Sequence, residues 1–169
     1  MYLISIYFDE KTNKILQRYI DRIAEKSGNY FMIENKVPPH MTIASIEARN
    51  VNVLKPAFED LNGKLCAGNM KVVSIGQLFP YVLYAMPVMN QKLFDLSGEI
   101  YKAFCDIPET TLSEYYKPFS WLPHITLGKR LIIFTQRCLG NIKMCIRDSH
   151  RRRVRNWCRK RCNKRYSSL

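Results

Sequence analysis

The chain has 169 residues, 47% of them hydrophobic and 12% aromatic, with a formal net charge of +13. This is enough length and apolar content for one domain, or two small lobes, with a real core, and it excludes a disordered chain. No apolar run reaches the roughly 18 residues a membrane span needs, and the N-terminal "MYLISIYFDEKTNK" has neither the basic start nor the cleavage site of a secretory signal.

The predicted elements run as follows. "YLISIYF" at 2–8 is β-branched and aromatic and reads as a strand, with Asp9 behind it as a helix cap. In 10–28, Ile15, Leu16, Tyr19, Ile20 and Ile23 recur at three- and four-residue steps and Gly28 ends the run, which predicts an amphipathic helix. Pro38 and Pro39 force an extended lead-in to "HMTIASIEA", a strand at 40–48. A second helix is expected over 52–66, with Asn52 as cap and Leu54, Phe58, Leu61 and Leu65 as its apolar face. Strands follow at 70–79 and 81–88, joined tightly at Phe79-Pro80. A third helix at 90–105 shares Leu93, Leu96, Ile100 and Phe104 on one face, and 106–121 reads as a loop leading into a last strand. The order predicts an α+β fold. Two strand-helix-strand units, related by pseudo-symmetry, form a bilobal arrangement of antiparallel sheets around a central cleft.

Two near-identical hexapeptides stand out. Pro39-His40-Met41-Thr42-Ile43-Ala44 is matched by Pro123-His124-Ile125-Thr126-Leu127-Gly128, and these units hold two of the three histidines. On a strand, alternate residues share a face, so His40 points with Thr42 and His124 with Thr126, while Met41, Ile43, Ile125 and Leu127 point to the core. By the same alternation Ala44, Gly128 and Arg130 join the polar faces. Two such strands face to face enclose a groove with two imidazoles and two hydroxyls. Imidazoles titrate near neutrality and serve as general acid and general base. Threonine hydroxyls donate to the non-bridging oxygens on which negative charge grows. The set suits phosphodiester chemistry without a covalent intermediate. A metal site on His40 and His124 is the poorer reading, because no carboxylate or cysteine sits at a matching spacing.

The strings "PPHMTIAS" and "WLPHITLGKRL", in their strand-helix-strand context, resemble the 2H phosphoesterase superfamily, which includes 2'-5' RNA ligases and RNA 2',3'-cyclic phosphodiesterases. The resemblance spans residues 1–131. It implies a bilobal fold whose central cleft carries both His-x-Thr motifs. It also implies hydrolysis, or reverse ligation, of 2',3'-cyclic or 2',5'-linked phosphodiesters in RNA ends or small nucleotides. Carried over, His40 is the acid that protonates the leaving oxygen, His124 the base that activates water, and Thr42 and Thr126 the phosphate ligands. The two histidines exchange roles with the direction of reaction. No metal or organic cofactor is expected, and the protein is expected to be a cytoplasmic monomer with no membrane partner. The alternative is a non-catalytic RNA-binding module that uses the cleft and a basic tail.

Three further features bear on substrate. Tyr115, Tyr116, Phe119 and Trp121 precede the second motif, either packing the loop onto the fold or stacking on a base, with Tyr116 or Phe119 the residue to do so. Arg130 either meets phosphate or ends a solvated strand. The charge is uneven: residues 1–142 carry +3 and residues 143–169 carry +10. The segment 132–169 is rich in Arg and Cys and lacks a periodic apolar face. It fits a basic RNA-binding arm. It fits less well a zinc site from Cys138, Cys145, His150, Cys158 and Cys162, whose spacings match no usual finger. The favoured account is a shifted reading frame or translated adapter, which "KMCIRDS" resembles. All six cysteines read as reduced thiols.

Overall fold

Asp9 opens the first helix as its residue type predicts. Its carboxylate accepts from the Thr12 amide at 3.0 Å and from the Thr12 hydroxyl at 2.6 Å, satisfying amides that the first helical turn leaves without partners. The computed structural model describes residues 1–78 and 81–131, all within the unit Met1–Thr135. In it, strand β1 (Tyr2–Ile6) leads through Asp9 to helix α1 (Glu10–Ser27), which Gly28 closes at φ 68° by donating its amide to the Ala24 carbonyl. That left-handed conformation is open to glycine at no steric cost. Leu16, Ile20, Ile23 and Ala24 form the buried stripe of α1.

A single turn, α2 (Phe31–Glu34), precedes strand β2 (Met41–Ala48). Next come a 3-10 turn at Val51–Val53, helix α3 (Lys55–Asp60), strands β3 (Val72–Leu78) and β4 (Val82–Pro87), and helix α4 (Gln91–Phe104). Asn90 caps α4 by accepting from the Leu93 amide at 2.9 Å. Strand β5 (Thr110–Leu112), a 3-10 turn at Glu114–Tyr116 and strand β6 (Ile125–Lys129) complete the described residues. The Phe79-Pro80 joint and the segment 132–169 lie outside them. Among the described residues, no helix is long and apolar enough to cross a membrane.

Two expectations are corrected. The helix expected over 52–66 is only six residues long. Pro56 fits its first turn, and the chain turns out of it before Gly63 at φ 76°. Of the apolar face read there only Leu54 is buried, while Phe58 is 61% exposed and Leu65 is exposed as well. The loop read over 106–121 contains β5, which pairs with β2 through Ile46↔Leu112, Glu47↔Thr111 and Ala48↔Thr110. Three residues are too few to display a strand period.

All six strands join one antiparallel sheet in the order β1-β2-β6-β4-β3, with β5 also on β2. The expected lobes thus share a sheet, which narrows between β2 and β6, where the ladder has one rung, Met41↔Ile125. Both strands start at this waist and run away from it in opposite directions. Strands β1 and β5 flank β2, while β4 and β3 extend the sheet from β6. Helices α1 and α2 pack against β6, and α4 packs against β2. Met41, Ile46, Leu83, Phe104, Ile125 and Leu127 are almost wholly buried, each contributing about 1.5–3 kcal/mol of burial energy.

Candidate functional site

The waist is where both hexapeptides meet. Pro39 and Pro123 are buried and anchor the chain ahead of each strand, leaving His40 and His124 as the residues just before β2 and β6. Met41 and Ile125 are fully buried, Ile43 and Leu127 nearly so, while His40, Thr42, His124 and Thr126 remain partly exposed. Extending the Met41↔Ile125 register by one residue sets His40 opposite Thr126 and Thr42 opposite His124. The four polar side chains therefore fall on one face of the sheet. The two histidines stand diagonally across that rung. The motifs lie side by side in one sheet, not on two strands that face each other across a groove.

Each imidazole is held in the same way. His40 Nδ1 lies 2.8 Å from the Pro38 carbonyl oxygen, and His124 Nδ1 lies 2.9 Å from the Leu122 carbonyl oxygen. A carbonyl only accepts, so Nδ1 carries the proton in both rings. The lone pair of each neutral ring is then at Nε2, free to take a proton, and each protonated ring offers that proton from the same atom. Tyrosines flank both rings. Tyr7 lies beside His40 with ring centroids 6.3 Å apart, and Tyr84 is edge-on to His124 at 5.6 Å. The Ser5 and Thr42 hydroxyl oxygens are 3.5 Å apart, the far limit of a hydrogen bond.

A bulge follows each motif threonine. Ile4 pairs with Ala44 but Ser5 with Thr42, leaving Ile43 unpaired on β2. Leu83 pairs with Gly128 but Tyr84 with Thr126, leaving Leu127 unpaired on β6. A bulge shifts the alternation by one residue, so Ala44 and Gly128 leave the polar face. Ala44 is 2% exposed, and a Cβ at Gly128 would sit 3.3 Å from Ile23 Cγ2 of α1. Arg130 also departs from its expected face. It takes φ 60° after β6, its carbonyl accepts from the Asn29 side chain, and its guanidinium lies 4.6 Å over the Phe31 ring.

The four aromatic residues before β6 divide. Trp121 is buried and its Nε1 donates to the Thr42 carbonyl at 3.1 Å. Tyr116 is half-buried, and burial pushes its phenol pKa above the ordinary 10.0. Tyr115 and Phe119 are exposed, with the Phe119 ring 4.9 Å from that of Phe94. Neither Tyr7 nor Tyr84 belongs to a motif or a periodic face that marks it in the sequence. Their positions follow from strand registers that a single chain of letters does not display.

A cavity of about 520 Å³ reaches Ser5 but none of the motif histidines or threonines, and is lined by Ile4, Ile6, Ile43, Phe58, Leu96 and Ile100 among others. It marks where the short α3 leaves the apolar side of the sheet thinly covered. Among the described residues, no group of three or more His, Cys, Asp or Glu side chains is placed to hold a metal ion. No protein-family model matches the chain, and no curated protein matches it.

Proposed function

We propose that this chain is a phosphoesterase of the 2H type, acting by acid-base catalysis on 2',3'-cyclic or 2',5'-linked phosphodiesters of RNA ends or small nucleotides. The observation that carries the reading is the pair of imidazoles at one waist, each with Nδ1 tied to the carbonyl two residues earlier. The matching bulges after Thr42 and Thr126 support the pseudo-symmetric relation of the two motifs.

In hydrolysis of a cyclic phosphate, His124 Nε2 takes a proton from water as the water oxygen bonds to phosphorus. The bond from phosphorus to one ribose oxygen breaks, and that oxygen takes the Nε2 proton of His40. Thr42 and Thr126 donate to the non-bridging oxygens. One water is consumed and a phosphomonoester is released. Exchange of one proton with solvent at each imidazole resets the pair. The two Nδ1 protons stay on the rings, donated to the Pro38 and Leu122 carbonyls, so each ring works through Nε2 only.

The test is turnover of a panel of 2',3'-cyclic and 2',5'-linked nucleotides by the purified chain. His40→Ala and His124→Ala are each expected to lower kcat at least ~100-fold, within the range that general acid-base groups supply, with nucleotide binding largely retained. Absence of turnover across the panel by the native chain would overturn the proposal.

A further inference from the structure

We infer that Trp121 is a positioning residue that fixes the spacing of the two motifs, an inference that rests on the reading just proposed. Between the rung Met41↔Ile125 and the β2–β5 pairing, which the Ser113 amide extends to the Ser45 carbonyl, the register of β2 has no further rung with the segment that leads into β6. The Thr42 carbonyl, which follows that rung, accepts instead from the Trp121 indole at 3.1 Å. That bond spans 79 residues of chain and joins the first motif to the residue two positions before the second. One end is the backbone of the first motif's threonine. The other is the residue next to Leu122, whose carbonyl holds His124 Nδ1.

Trp121 is only 6% exposed, so its ring is fixed by packing as well as by its N–H. Its amide also donates to the Lys117 carbonyl at 3.0 Å, which anchors the lead-in segment at the same point. A shift of the indole would move the Leu122 carbonyl, and with it His124, relative to Thr42. His40 is braced separately through Pro38. Loss of the indole bond therefore acts on the relation between motifs and leaves the first histidine's own support in place. Reaction geometry is sensitive at this scale, since a misplacement of about 1 Å can cost on the order of 100-fold in rate.

The test uses the full chain with Trp121→Phe, which keeps an aromatic ring and removes the N–H. With a 2',3'-cyclic nucleotide, kcat is expected to fall on the order of tenfold with KM within about twofold of native, a smaller loss than full misplacement brings. Ile20→Val, a core change on α1 that leaves the motif side chains and Trp121 intact, serves as a control, and at similar loss of Tm its kcat is expected to stay native. In NMR, the native Trp121 indole N–H is expected to exchange slowly with solvent, and Trp121→Phe to shift the Thr42 and His124 signals but not those of His40. Native kcat in Trp121→Phe, or a fall no larger than in Ile20→Val, would overturn the inference. If the native chain turns over no substrate, the proposed function fails, and the NMR arm alone decides the inference. Rapid indole exchange, or unshifted Thr42 and His124 signals, would then refute the positioning role.

Discussion

Gly76 and Tyr84 offer a direct check on the packing beside His124. They are paired across β3 and β4, and the phenol of Tyr84 lies over the glycine. A Cβ at Gly76 would come within 2.4 Å of both Tyr84 Cζ and Oη, well inside the ordinary separation of about 3.5–4.0 Å for carbon atoms. The ring must then move by more than about 1 Å. Tyr84 is only 7% exposed, so that movement meets packed neighbours. Gly76→Ala is expected to cost about 2 kcal/mol, the middle of the range for overpacking. At about 2–4 °C per kcal/mol for a chain of this size, Tm falls by about 4–8 °C. The same change in a Tyr84→Leu background meets no ring. There Ala in place of Gly is expected to stabilise by about 0.5 kcal/mol, because the unfolded chain has less freedom to lose. Thermal unfolding of the four proteins of this double-mutant cycle measures the coupling. A cost of the same sign and size in both backgrounds would refute the placement of the ring over Gly76. In the single variant, the displaced ring should also shift the His124 NMR signals, since the two rings meet edge-on.

Three other outcomes follow from the fold. Phe58→Ala is expected to change stability by less than about 1 kcal/mol by denaturant titration, because that ring is 61% exposed, where a buried helix face would lose about 3–5 kcal/mol. Asp9→Asn should flatten the acid limb of the stability curve. The hydrogen bonds from Thr12 hold the Asp9 carboxyl below its ordinary 3.8, so its contribution is complete above that pH and is lost as pH falls through the depressed folded value. Tyr116→Phe should flatten the alkaline limb. Burial raises the Tyr116 phenol above 10.0, so its contribution is complete below that pH and is lost as pH rises through the folded value. Chemical denaturation at stepped pH measures both effects against the native chain.

The sequence patterns legible here are those of period and cap. α1 announces itself through Asp9, the Leu16-Ile20-Ile23 stripe and Gly28, and α4 through its buried Leu93, Ile100 and Phe104. The same logic failed over 52–66, because spacing says which residues would share a helix face and not whether a partner surface exists to bury it. Phe58 has the spacing and stays exposed. Alternation put His40, Thr42, His124 and Thr126 among the partly exposed residues, since two residues is a short extrapolation along a strand. It failed for Ala44, Gly128 and Arg130. One bulge residue in each strand, and the left-handed turn at Arg130, lie between those positions and the motifs. Bulges depend on the partner strand, which the local sequence does not name.

The waist also explains why the motifs take the form they do. A residue at the start of a strand has one neighbour in the ladder and one in the lead-in, so its side chain answers to both. The proline before each histidine sets the lead-in in an extended conformation, and the carbonyl one residue further back accepts the Nδ1 proton of the histidine. The apolar residue after each histidine enters the core, where Met41 and Ile125 also form the single rung. The threonine next returns to the polar face, and the bulge behind it turns the strand so that Ala44 and Gly128 face the packed side. A regular ladder continued past the rung would occupy the inner edge of β2 at Thr42. Ending it there leaves the Thr42 carbonyl available to Trp121. In this arrangement the spacing of the two histidines is set by the main-chain rung and the indole bond together, and of the two only the indole bond is carried by a side chain that a substitution can remove.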